Sequence, residues 1–232
     1  AVISLGTSDT FFAAMRSPKT DPEGYGHVLG NPAGGFMSLI CFKNGSLARE
    51  KIKEKCGVDW DYFGLSAFEK SAPGNNGSIM LPYFVPEITP LVMKRGVKLF
   101  GSAKFVSGKA GKDEKIRAIV ESQMLRMKLH SSWIGEKFKK IKITGGGSKS
   151  PGICQVAADV FDACVETISI PNSAALGAAI IAACAEGDFS FSEMSAKFAK
   201  PVSKIIPNSG NVKIYRALLD KYAELEKNPQ AF

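Results

Sequence analysis

Three consecutive glycines, Gly145, Gly146 and Gly147, stand between a run that reads as a strand and a run that reads as a helix, in the stretch KIKITGGGSKSPGICQVAADVFDACVETISI at 140–170. Glycine gives up more conformational freedom on folding than any other residue, so three in a row need a reason. Three are available: a turn that requires positive φ, close packing of helix on sheet, or close approach of the backbone to a ligand. Around the glycines the order is strand (141–144), helix (152–161), strand (165–170), helix (174–185). Such alternation implies an α/β layer architecture.

The chain of 232 residues, 45% hydrophobic and 22% charged, has the composition of an ordinary globular protein with enough length for a substantial core. Its longest apolar run, at 174–185, is about 12 residues, short of the roughly 20 that a membrane helix needs. The five cysteines (Cys41, Cys56, Cys154, Cys164, Cys184) are widely spaced, with no CxxC and only two histidines beside them. They read as buried thiols in a reducing compartment such as the cytoplasm, not as zinc ligands or a disulfide framework. The formal charge of +8 comes from dispersed lysines and solvated runs without interleaved aromatics. That pattern argues against a nucleic-acid surface.

Along the chain, AVISLG and TFFAAM read as two strands joined by Thr7, Ser8 and Asp9, a β-hairpin. Residues 16–35 are rich in Gly, Pro and Asp and read as a loop, before a buried strand GFMSLICF and a helix LAREKIKEKCG. Asp59 is placed to cap a short helix carrying Trp60, Tyr62, Phe63 and Leu65. From 113 to 132, Ile116, Ile119, Val120, Gln123, Met124 and Met127 fall on one face of a helix, with Arg117 and Arg126 on others. The alanines and Gly177 of 174–185 suit tight packing against a neighbour. Residues 211–228 close the chain as an amphipathic helix, and His130 reads as a surface or capping histidine.

TGGGSKS is neither a G-x-G-x-x-G fingerprint nor a P-loop, and by itself reads equally as a tight turn. LGTSDT has the same double reading: a hairpin turn, or backbone N–H groups and two hydroxyls arranged for a phosphate. Together, a hydroxyl-bearing hairpin early and a glycine platform late describe the nucleotide-binding half of an actin-like ATPase.

The stretches SLGTSDTFF, SLICFKNGSLAREKI, IRAIVESQMLRMKLH and TGGGSKSPGICQVAADVFDACVETI, followed by NSAALGAA, resemble in order the C-terminal domain of the FGGY carbohydrate kinases. The likeness is greatest to the eukaryotic-type branch that phosphorylates D-xylulose, and it covers nearly the whole chain. The resemblance implies a ribonuclease-H-like, actin-like ATPase fold, with residues 1–232 as a single domain forming one half of a hinged enzyme. It implies ATP and magnesium as the nucleotide pair, with ADP as product. Gly6, Thr7 and Ser8 would approach the γ-phosphate, and Gly145, Gly146, Gly147 and Ser150 would form the adenosine motif. Position 150 is often asparagine in relatives. Trp60 falls where an aromatic contacts the nucleotide, although a core role suits a tryptophan equally. The family's general-base aspartate and sugar pocket belong to an N-terminal domain preceding Ala1, so no catalytic residue and no metal ligand is expected in this chain, and alone it should be inactive. Another FGGY sugar or polyol kinase, or a non-catalytic nucleotide-binding module, is the alternative; neither nucleic acid nor membrane is an expected partner.

Overall fold

The computed structural model describes residues 1–168, 170, 172–187 and 189–227. Its centre is a seven-stranded sheet in the order β11-β10-β9-β1-β2-β4-β3. β1 (Val2–Leu5) and β2 (Asp9–Met15) form the expected antiparallel hairpin, with Leu5 opposite Asp9, so Asp9 opens the strand and only Gly6, Thr7 and Ser8 make the turn. β3 (His27–Gly30) pairs with β4 (Phe36–Phe42) within the segment expected to be loop. It is a mostly exposed edge strand, held by backbone pairing, and so has no hydrophobic period to reveal it. β4 alternates between buried and less buried positions because β2 and β3 flank it on a half-covered sheet.

Two helices follow, α1 (Ser46–Cys56) and α2 (Trp60–Ser66). Asp59 caps α2 as expected, accepting from the Tyr62 amide at 2.7 Å. The proline-bounded segment then forms short strands β5 (Ile79–Tyr83), β6 (Glu87–Ile88), β7 (Leu91–Val92) and β8 (Gly96–Phe100), pairing β5 with β8 and β6 with β7. A single-turn helix, α3 (Ala103–Val106), leads to the 19-residue α4 (Lys112–His130). β9 (Lys140–Thr144), α5 (Pro151–Phe161) and β10 (Cys164–Ile168) make a parallel βαβ unit, β9 lying beside β1. α6 (Ser173–Glu186), α7 (Phe191–Phe198), β11 (Pro201–Ile205) and α8 (Ser209–Glu226) complete the described chain. The strand expected over 165–170 includes Ser169 and the final helix expected over 211–228 includes Asn228, and both residues lie outside the described ones.

Sheet residues such as Ile3, Leu5, Phe11 and Ile143 share one hydrophobic cluster with Ile52, Phe63, Ile119, Met124, Val156 and Tyr222 of the helices. α4 runs through the helical layer against α1, α5 and α8, and from Ile116 to Met127 it is buried on every side. Arg117 and Arg126, expected on outer faces, are therefore fully buried. Each is paired: Arg117 with Glu121 at 3.1 Å and Arg126 with Glu87 at 2.9 Å. A helical wheel marks the apolar stripe but not how many neighbours surround it. His130, at the end of α4, is likewise mostly buried and lies 2.8 Å from Glu226. Of the cysteines only Cys154 is buried, the other four being partly exposed; all five are free thiols. Burial pushes the Cys154 thiol up to about 12.

α6 departs most from expectation. Its small, apolar residues do not pack tightly: among them only Ile180 is buried. Among the described residues no helix is long and apolar enough to cross a membrane.

Glu121 gives the core a pH signature. Burial pushes its carboxyl up to about 7 from an ordinary 4.5, against the opposing pull of Arg117 and hydrogen bonds from Tyr215 and the Gly74 amide. The folded chain then keeps a proton that the unfolded chain releases above 4.5, so stability falls as pH rises from about 4.5 to about 7. Denaturant melts across this range should show the decline in the parent chain and a flatter profile in Glu121→Gln.

Candidate functional site

The hairpin turn, the start of α1, α2 and the glycine turn before α5 enclose a cleft of about 880 Å³. Of the residues expected at a site, Gly6, Thr7, Trp60, Gly146, Gly147 and Ser150 line it; Ser8 and Gly145 do not. Sequence reading missed Leu5, Ser46, Arg49, Asp61, Gly64, Glu69, Lys149 and Gly152, which line it too. Lys149 lies inside the quoted glycine motif and had a visible signal. Leu5 ends β1 within the quoted LGTSDT, and the others come from α1, from α2 and the turn after it, and from α5, whose approach to the glycines depends on packing.

Each glycine of the triplet has its own reason. Gly145 adopts φ 83°, and a Cβ there would lie 2.5 Å from the Leu5 carbonyl oxygen, so it makes the turn and lets β9 leave β1 without collision. At Gly147 a Cβ would lie 2.8 Å from the Leu5 Cβ, which marks close packing on the same strand. Gly146 is exposed, and a Cβ there would meet nothing within 4 Å. Gly146 and Gly147 both line the cleft, but of the three glycines Gly146 alone has open space where a Cβ would stand. Ser148 closes the turn through its hydroxyl, which donates to the Gly145 carbonyl at 2.7 Å. Ser150 then caps α5, its hydroxyl accepting from the Ile153 amide at 3.3 Å, with Pro151 at the first helical position.

The opposite wall is α2. Trp60 is 46% exposed, which removes the core reading, and it meets Phe63 edge to face at 5.3 Å. The Lys53 ammonium stands 5.2 Å from its ring. A large aromatic face presented to a cleft offers a stacking surface for a flat ligand. α2 comes this close to α5 because Gly64 and Gly152 meet: a Cβ on Gly152 would fall well inside contact distance of the Gly64 carbonyl.

At the far end, the hairpin rests on buried charge. Asp9, fully buried at its base, receives two hydrogen bonds from Arg49, at 2.7 and 2.9 Å. Burial pushes the Asp9 carboxyl up, and the facing guanidinium pulls it back. Behind them Glu87 is also desolvated, yet Arg126, the Asn44 side chain and the backbone amides of Lys43 and Asn44 hold its carboxyl below the usual range. At the exposed tip, Gly6 and Thr7 line the cleft while Ser8 lies beside it, and a turn of this kind, with backbone N–H groups and a hydroxyl, is suited to phosphate oxygens. Among the described residues no group of three His, Cys, Asp or Glu could hold a metal ion.

The sheet order, with the polar hairpin and the glycine turn lining one cleft, is that of the actin-like ATPase class. The chain belongs to the FGGY family of carbohydrate kinases, whose C-terminal domain matches residues 1–186. It is 39% identical to the xylulose kinase of Rattus norvegicus over 97% of its own length and 38% identical to that of Mus musculus over the same share. It spans only 43% and 42% of those proteins. The fold is that of the ligand-bound xylulose kinase from Lactobacillus acidophilus (TM-score 0.85, 22% identity, 97% of this chain and 46% of that one). It is also that of Plasmodium falciparum glycerol kinase with ADP (TM-score 0.74, 14% identity, 97% and 46%).

The glycines should separate by substitution. Gly145→Ala and Gly147→Ala should each lower the midpoint of thermal unfolding, by an amount equivalent to roughly 1–3 kcal/mol of overpacking or backbone strain. Gly146→Ala should leave that midpoint in place.

Proposed function

We propose that this chain is the nucleotide-binding half of a xylulose kinase, an enzyme that transfers the γ-phosphoryl group of ATP to a hydroxyl of D-xylulose and releases ADP. The observation that carries the reading is the cleft, lined together by an exposed Trp60, the open backbone of Gly146 and the Gly6–Thr7 end of a hydroxyl-bearing hairpin. The identity to curated xylulose kinases over nearly the whole chain supports the substrate. In this reading adenine stacks on Trp60, Gly146 and Gly147 leave room for the adenosine, and the phosphates extend toward Gly6, Thr7 and Ser8. Gly145 and Ser150 support the platform, as the turn residue and the cap of α5.

Phosphoryl transfer of this kind is mostly positioning and charge stabilisation. Asp9 is engaged by Arg49 and does not serve as the base that accepts the sugar hydroxyl's proton. A second, N-terminal domain supplies that carboxylate and the sugar pocket, and this chain forms a single C-terminal domain. Magnesium arrives with the nucleotide, held on its phosphates. The exposed apolar face of α6 gives the other domain a surface to bury. The free thiols suit a reducing compartment, and a cytoplasmic location belongs to the same reading.

Calorimetry of the purified chain with Mg-ATP and Mg-ADP tests the site. Saturable binding is expected, with Trp60→Ala weaker by roughly 5- to 100-fold, the worth of one base–aromatic stack. Binding unchanged by that substitution would remove adenine from Trp60. Alone, the chain should produce no sugar phosphate from ATP and D-xylulose, and measurable turnover would overturn the division of labour between two domains.

A further inference from the structure

The phosphate hairpin presents an exposed tip, yet it is backed by a mount that extends deep into the protein. The Ser46 amide donates to the Gly6 carbonyl at 2.9 Å, tying the turn to the start of α1. Gly45 lies directly against it: a Cβ there would be 2.6 Å from the Asp9 amide nitrogen and 2.8 Å from the Thr7 carbonyl oxygen. The hairpin therefore stands wherever residues 44–46 hold it.

What holds those residues is Gln123, a fully buried amide midway along α4. Its Nε2 donates to the carbonyls of Asn44 at 2.7 Å and Gly45 at 2.9 Å. Its Oε1 accepts from Arg49 Nη1 at 2.7 Å, and that same guanidinium carries Asp9 at the hairpin's base. One side chain thus grips both supports of the turn, the 44–46 segment and the Arg49–Asp9 pair. A buried amide is unfavourable unless its donors and acceptor are satisfied, so its geometry is narrowly defined. Glu87 steadies the same segment from the other side, accepting from the amides of Lys43 at 2.6 Å and Asn44 at 3.0 Å.

We propose that Gln123 is a positioning residue for the nucleotide phosphates, holding the Gly6–Ser8 turn at the distance the phosphates require without touching them. The proposal rests on the nucleotide reading of the cleft. It has a signature that a general loss of stability lacks, because the hydrogen bonds of Gln123 go to Asn44, Gly45 and Arg49 at the hairpin's supports, whereas the adenosine end of the cleft is built from α2 and the glycine turn. Removing the tether must weaken phosphate binding selectively.

The test is titration of this chain with Mg-ATP and with adenosine, comparing the parent with Gln123→Met and Gly45→Ala. Methionine keeps the bulk of glutamine without its donors, and the alanine methyl pushes on the hairpin directly. The parent should bind ATP more tightly than adenosine, and each variant should lose at least tenfold of that margin while its adenosine affinity stays within about twofold. An intact margin in a folded Gln123→Met protein would overturn the proposal and leave the nucleotide site standing. A parallel fall in both affinities would overturn it as well, by reducing Gln123 to a structural role. If Gln123→Met does not fold, Gly45→Ala decides between the same outcomes. If the parent binds neither ligand, the nucleotide reading itself fails, and this proposal with it.

Discussion

Strand β1 is only four residues long, yet the cleft is built from what lies at its end. On one side it turns through Gly6–Ser8 into β2; on the other, the glycine turn leaving β9 presses onto Leu5. Parallel pairing of β1 with β9 brings together motifs separated by some 140 residues of sequence. Without a backbone free of Cβ at Gly145 and Gly147, β9 could not leave the sheet so close to Leu5. The spacing between the hairpin and the glycine turn would then change, and with it the shape of the cleft.

A layer of buried charge beneath this frame carries a different constraint. Three arginines, Arg49, Arg117 and Arg126, are fully buried, each opposite a carboxylate. Such pairs contribute modest net stability, because desolvation offsets much of the attraction, but removing one partner strands the other and costs several kcal/mol. Their value here is directional. Arg49 and Arg126 reach from helices to the segments flanking the hairpin, and they fix orientations that an apolar core would leave free to slide. Glu87 and Asp9 show how the surroundings decide the sign of a shift. Both are desolvated, but Glu87 also receives backbone amides and the Asn44 side chain, and it stays ionised more readily.

α6 differs from the rest of the molecule in what it leaves undone. Helices apolar on all sides are ordinarily buried, whereas the only buried side chain in α6 is Ile180. The proposed second domain would give such a helix a natural place, at the junction between the two.

The hairpin, the strand β4, the cap of α2, the long α4 and the βαβ unit around the glycines were all legible in the sequence, because each is set by local chemistry: turn residues, hydrophobic period, a capping aspartate. The two motifs of the cleft were legible for the same reason. The edge strand β3 was not, since its pairing leaves no period. Nor were the burial of Arg117 and Arg126, or the inclusion of Arg49, Gly64 and Gly152 in the cleft, since these depend on which helices converge. The sequence alone determined that three glycines must serve a turn, a close contact or a ligand. Only the tertiary structure gave the turn to Gly145 and the close contact to Gly147, and left Gly146 open beside the cleft, because a missing Cβ acquires its meaning from the atom that would have struck it.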